Sequence, residues 1–176
     1  MDLRNFRRRK NAEKENRVFF LGAWQKINTD PVCFGARDNK YGAFNMTKTG
    51  HVRTMKLVHI SGSMACNTQT GDSYWGCANP DYGESKFMTI ITNATKETIL
   101  PHNKDLRKHP IHRPSKEHCY SLEETEHKSP ALVFRNLSSP LSLSQGQELQ
   151  IWYGQDWVNF SEIGRASCRE RVYVLV

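Results

Sequence analysis

CFGARDNKYGAFNMTKTGHVRTMKLVHISGSMACNTQTGDSYWGC, residues 33–77, is the stretch whose reading decides the fold class. A cysteine opens it, two runs of strand type follow, and a loop rich in Gly, Asn and aromatic residues is closed by Cys66 and Cys77. From Tyr41 to Thr47 the pattern alternates, with Phe44 and Met46 on the opposite side of the pleat from Asn45 and Thr47. Thr49-Gly50 supplies a turn into the run from Val52 to Ile60. That run carries Met55 and Leu57 on one face and Val58 and Ile60 on the other, and apolar residues on both faces mark an interior strand.

The same signals recur downstream. KFMTIIT at 86–92 is β-branched and aromatic-rich, and Asn93 to Lys96 turns it into ETILP. From Pro101 to Pro130 the chain is polar, carries prolines at 110 and 114 and shows no sustained period. It reads as a long surface excursion tethered at Cys119, with a short helix near Leu122 to Glu126. Strand character resumes at ALVFRNL. Leu141 and Leu143 then alternate with serines, and Gln145-Gly146-Gln147 makes a turn. In 148–153, Leu149, Ile151 and Tyr153 point inward while Glu148, Gln150 and Trp152 point out. Some seven short strands with Gly, Asn and Pro turns and no convincing long helix define an all-β chain, an antiparallel β-sandwich or jelly roll.

A chain of 176 residues buries one respectable core, so a single domain is expected. The net charge of +7 resembles a nucleic-acid signal until it is localised. Residues 1–17 hold seven Lys/Arg against three acids, and residues 163–172 hold three Arg against Glu170. Residues 18–162 keep 15 basic and 14 acidic side chains, without the basic stripe that phosphate binding requires, so no nucleic-acid partner is expected. Residues 1–17, with Arg7-Arg8-Arg9-Lys10, read as a disordered basic arm. VFFLGAW at 18–24 is too short for a signal-peptide core or a membrane span, so neither is assigned. Residues 163–172, IGRASCRERV, match the in-frame translation of a common sequencing-adapter oligonucleotide. This reading makes 18–162 the domain and 163–176, with Cys168 and VYVLV, a non-native tail.

Without Cys168 the cysteines are Cys33, Cys66, Cys77 and Cys119, an even count that allows three connectivities. Cys66 and Cys77 enclose a flexible loop containing Gly71 and Gly76 and form the first pair; Cys33 with Cys119 follows by elimination. Asn45-Met-Thr, Asn93-Ala-Thr, Asn136-Leu-Ser and Asn159-Phe-Ser are glycosylation sequons. Paired cysteines and four sequons together place the chain outside the cell, with a leader missing from a wrongly assigned or truncated N-terminus.

VCFGARDNKYGAF, MKLVHISGS, SYWGC and IWYGQDW resemble an uncharacterised family of secreted coral- and anemone-type β-domain proteins, over about residues 22–158. The resemblance implies an extracellular place and a shared disulfide core, and no activity. The family continues beyond this point through further cysteines and a closing aromatic strand after Cys-Ser-Glu. Here Phe160-Ser-Glu leads into the adapter-like segment instead, which puts one family disulfide and the last strand in question.

Chemistry is sparse. His102, His109, His112, His118 and His127 crowd one segment beside Cys119, but their spacing fits no zinc pattern and Pro110 breaks any helix that would align them, so no metal is assigned. Asp72, Asp81 and Glu84 lack EF-hand spacing and read as a hydrated turn. No nucleophile elbow, zinc-protease helix or phosphate loop occurs, and neither an enzyme nor a cofactor is expected. Two clusters combine flat rings with amides and acids: Tyr74 and Trp75 beside Asn79, Asp81 and Tyr82, and Trp152 with Gln155, Asp156 and Trp157. Sugars use that combination, stacking apolar faces on rings and pairing hydroxyls with polar groups. The plainer reading of Trp75 is a ring capping the core beside a disulfide. The expected function is a non-catalytic extracellular recognition or adhesion module, lectin-like, with a glycan or protein ligand; the alternative is a structural component of a secreted matrix.

Overall fold

The alternation in the sequence becomes two four-stranded antiparallel sheets. The fold is given by a computed structural model that describes residues 23–66, 68–78, 86–107, 118–158 and 170–176. Within them run β1 (Val32–Phe34), β2 (Gly42–Asn45), β3 (Gly50–Val52), β4 (Lys56–Ser61), β5 (Lys86–Phe87), β6 (Thr89–Asn93), β7 (Thr98–Leu100), β8 (Tyr120–Ser121), β9 (Ala131–Val133), β10 (Leu141–Leu143), β11 (Glu148–Tyr153) and β12 (Glu170–Leu175). A 3₁₀ turn at Asn103–Asp105 and one helical turn, α1 (Gly154–Trp157), complete the described elements. One sheet has the order β1-β12-β4-β9 and the other β2-β11-β6-β7; β3 pairs β10 and β5 pairs β8. Phe34, Leu57, Leu132 and Val174 of the first sheet and Phe44, Ile91, Leu149 and Ile151 of the second join a single buried cluster. The chain is a disulfide-stapled antiparallel β-sandwich.

Both turns expected at Thr49-Gly50 and Gln145-Gly146-Gln147 differ from expectation in the same way. Gly42 faces Ile151 and Asn45 faces Glu148; further along, Gly50 faces Leu143 and Val52 faces Leu141, with the same offset throughout. Neither segment therefore reverses the chain. They lie opposite one another and bend one long antiparallel pair, and β10 and β11 are not hairpin partners. The bend is held by Gly146 N donating to Met46 O at 2.8 Å, Met46 N to Gln147 O at 3.0 Å and Gln145 N to Thr49 Oγ1 at 2.9 Å. Gly146 takes φ +80°, a conformation open to glycine without strain. The run Val52–Ile60 likewise breaks at Arg53–Met55 into β3 and β4, and β4 is interior, between β12 and β9.

The segment assigned to the non-native tail contributes β12, which lies between β1 and β4. Val174 is fully buried, and Ile27 N donates to Val174 O at 2.9 Å while Gln25 and Val176 exchange a pair of backbone bonds. The position asks for an alternating apolar strand, and a segment ending Val-Tyr-Val-Leu-Val meets that demand by pattern, whatever its origin.

Cys66 and Cys77 are bonded, with Cα atoms 5.3 Å apart. The pairing of Cys33 with Cys119 is corrected: Cys119 is a free, buried thiol and Cys33 is disulfide-bonded elsewhere. Cys33 sits between buried Val32 and Phe34 on β1 and so alternates away from the core, whereas Cys119 packs into it, its Sγ 3.3 Å from the Arg107 carbonyl it donates to. Burial pushes that thiol up from its ordinary value, with Lys86 opposing. Cys119 is held by main-chain bonds with Arg107 at 2.7 and 3.2 Å, not by a disulfide. Nor does 122–126 form a helix; it is a turn with Glu124 at φ +56°. Leu106, His118, Tyr120 and Leu122 are buried, so the described ends of the polar excursion belong to the core. Residues 1–17, Asn79, Asp81, Tyr82, Glu84, His109, His112, Asn159 and Cys168 lie outside the described residues.

Candidate functional site

The two aromatic clusters foreseen in the sequence occupy different sides of β11. Tyr153 points inward and donates from its hydroxyl to Gly76 O at 2.7 Å, so the Cys66–Cys77 loop lies on the inner side. There Trp75 is wholly buried, its indole N–H donating to Ser129 O at 2.7 Å, while its main-chain carbonyl accepts from Met88 N and Thr89 N. Tyr74 is half-buried and stacks on His59 of β4, with centroids 3.7 Å apart and planes 9° apart. Trp75 is thus a core residue, not a surface for a ligand.

Trp152, Gln155, Asp156 and Trp157 gather at the other side. Trp152 has the outward phase that alternation assigns, but it is fully buried, because further side chains cover this face. Since Gly42 faces Ile151, the next position, Tyr41, falls opposite Trp152, and the two rings stack with centroids 4.6 Å apart. The Lys96 ammonium lies 4.2 Å from the centroid of the same indole. The indole N–H donates to Gln150 Oε1 at 3.0 Å, and Gln150 donates in turn to Glu148 at 2.8 Å, so a chain of side-chain bonds along the outer face fixes the ring.

Three short segments supply the rest. The β1–β2 connection crosses between the sheets through Asp38 and Asn39, at φ +62° and +54°, a pair of residue types that tolerates the left-handed region. Asp156 of α1 pins this turn, its Oδ1 accepting from Asn39 N at 2.9 Å and the carboxylate also from the Lys40 amide. The β6–β7 turn is built on Asn93, whose side-chain oxygen accepts from Thr95 N and Glu97 N at 3.0 and 2.9 Å, leaving Lys96 at φ +64°. Trp157 N–H donates to Lys96 O at 3.3 Å and ties α1 to that turn. Gly154 starts α1 where no side chain fits, since a Cβ would lie 2.2 Å from His118 O.

Gln155 and Asp156 are buried, and Gln155 Oε1 and Asp156 Oδ2 have no hydrogen-bond partner among the described residues. Burial raises the Asp156 carboxyl above its ordinary value, against the Asn39 and Lys40 amides and Lys96, with Asp38 adding to the rise. A folded-state value above the unfolded one means the native state binds the proton more tightly. That contribution to stability is full below the unfolded value of about 3.9 and is lost as pH rises through the folded value. Asp156→Asn keeps an acceptor for the two amides, so across about pH 3.5 to 7 the melting temperature of the native chain is expected to fall relative to that of the variant as pH rises. Equal slopes for both chains refute this.

The sequence missed Tyr41 and Lys96, because cross-strand neighbours become visible only with the register. Of the histidines, His118 and His127 are buried and His102 Nδ1 caps the 3₁₀ turn by accepting from Lys104 N at 3.2 Å. Among the described residues no three metal-ligating side chains converge, and no helix is long and apolar enough to cross a membrane. Of the sequons, Asn45 and Asn136 are exposed, while Asn93 is engaged in its turn.

One solved structure is similar in fold over nearly its whole length. It is a lectin. "AJLec from the Sea Anemone Anthopleura japonica" matches with a TM-score of 0.75 and 27% sequence identity, over 88% of this chain and 96% of that one. No protein-family model matches the chain, and no curated protein does.

Proposed function

We propose that this chain is a non-catalytic carbohydrate-recognition module that works outside the cell, and that the Tyr41–Lys96–Trp152–Asp156–Trp157 cluster is its binding face. The observation that carries the reading is the lectin likeness at 27% identity across nearly the whole of both chains. The cluster supports it chemically: a stacked aromatic pair, an ammonium, an amide and a carboxylate lie together on short loops held by a rigid sheet. The Cys66–Cys77 bond suits an oxidising compartment.

A glycan array probed with the full chain tests this. Binding to a restricted set of glycans is expected, and Trp157→Ala is expected to weaken it about tenfold, the order of one aromatic contact with its hydrogen bond. No binding to any glycan, with concentration-dependent self-association in its place, overturns the reading in favour of a matrix component.

A further inference from the structure

We infer that Tyr41 is the ring on which a pyranoside stacks, with Trp152 acting behind it as the support that fixes its plane and Lys96 as the hydrogen-bond donor to the sugar. This rests on the carbohydrate reading above and adds the contact residue and the class of face that it takes.

Two of the tryptophans that draw attention in the sequence, Trp75 and Trp152, are ruled out as stacking surfaces by burial, since they expose nothing. Among the described residues the exposed large hydrophobics are Trp24, Tyr41, Ile60 and Val133. Trp24 packs by Lys56, and Ile60 and Val133 lie on the other sheet, so Tyr41 alone of these belongs to the cluster. The residue is 41% exposed while its ring stacks on the buried Trp152 indole, which backs it from the sheet side. Its position directly precedes β2, so the backbone beneath it is held by the sheet, and Asp156 fixes the turn before it. A ring that is already ordered loses little freedom on binding, which is what makes an aromatic contact effective.

Lys96 touches the same indole as Tyr41, its ammonium 4.2 Å and the phenol centroid 4.6 Å from the indole centroid, so both groups belong to one cluster around Trp152. Its backbone is fixed on both sides, by the Asn93 turn and by the Trp157 N–H. The occupant this fits is a pyranoside with an unbroken run of C–H groups on one face and hydroxyls at its edge: the C–H face packs on the phenol, and an edge hydroxyl accepts from the ammonium.

The test is saturation-transfer NMR and titration of the full chain with a panel of methyl hexopyranosides, using Tyr41→Leu, Tyr41→Phe and Lys96→Met. Leucine keeps Trp152 covered and removes the ring; methionine keeps the stem over Trp152 and removes the ammonium. With the wild-type chain, saturation is expected to concentrate on the C–H protons of one sugar face. Tyr41→Leu is expected to weaken binding about tenfold or more, with Trp152 emission and melting temperature nearly unchanged, a combination that a merely structural role does not produce. Tyr41→Phe is expected to stay within about threefold of wild type, and Lys96→Met to lose about three- to tenfold. Wild-type affinity in Tyr41→Leu, with the methyl glycosides still bound, overturns this inference and leaves the carbohydrate reading standing. A wild-type chain that binds no saccharide in the panel or on the array overturns both.

Discussion

Trp75→Ala is expected to remove about 3–5 kcal/mol of folding stability, the usual cost of deleting a fully buried large aromatic side chain. Trp75 has no exposed surface and its ring meets His59 edge-on at 6.2 Å. Its indole N–H donates to Ser129 O, so the alanine variant also takes the donor from that part-buried carbonyl. Against a total of about 5–15 kcal/mol for a domain, this is a large share of the stability. The site is costly because it joins elements that are not neighbours in sequence: the Met88–Thr89 backbone and the 127–129 turn both bond to residues 73–75 of the disulfide loop. Trp75→Phe keeps most of the packing and loses the N–H, so about half the effect is expected. The check is denaturant unfolding of the three chains in parallel. An alanine variant within about 1 kcal/mol of wild type means that the ring is not in the core.

Deleting residues 163–176 is expected to lower the melting temperature by more than about 10 °C, or to abolish cooperative unfolding, and to promote association. β12 is hydrogen-bonded on both sides, to Val32–Phe34 and to the strand containing Leu57, and its loss bares both edges at once. Val174 leaves a hole between Leu57 and Ile27, and the last backbone bonds to residues 25–27 go with it. Deleting residues 1–17 removes four net positive charges and is expected to reduce salt-sensitive binding to polyanions. A replacement strand of unrelated sequence that keeps apolar residues at 174 and 176 is expected to restore the melting temperature, because the slot selects a pattern of alternation and not an identity. Calorimetry and sedimentation of the full, truncated and replaced chains decide the matter; a truncated chain that melts within a few degrees of the full one places the domain boundary at Ser161.

Much of the fold was legible in the sequence because it depends on neighbours along the chain. Period-2 alternation at 148–153 gave the inward Leu149, Ile151 and Tyr153. Apolar residues on both faces of 55–60 gave an interior strand, and a flexible ten-residue loop between Cys66 and Cys77 gave their bond. Glycines at 50 and 146 marked real irregularities, but whether a Gly-rich segment reverses a chain or bends it depends on what stands opposite. Here the two irregular segments face each other across one continuous register, which neither encodes alone. Cys119 failed as a disulfide partner for the same reason: pairing needs two Cβ vectors that converge, and Cys33 points away from the core that Cys119 enters. At the candidate site, alternation correctly put Trp152 on the outer face, and only the packed structure could show that this face is covered. Tyr41 and Lys96 lie 111 and 56 positions from Trp152 in the chain, and they reach it through cross-strand register and a turn anchored by Asn93. Burial is a property of the assembled layers, so local sequence could single out Trp152, Gln155, Asp156 and Trp157, while tertiary packing decided that Tyr41 and Lys96 join them and which of the group faces solvent.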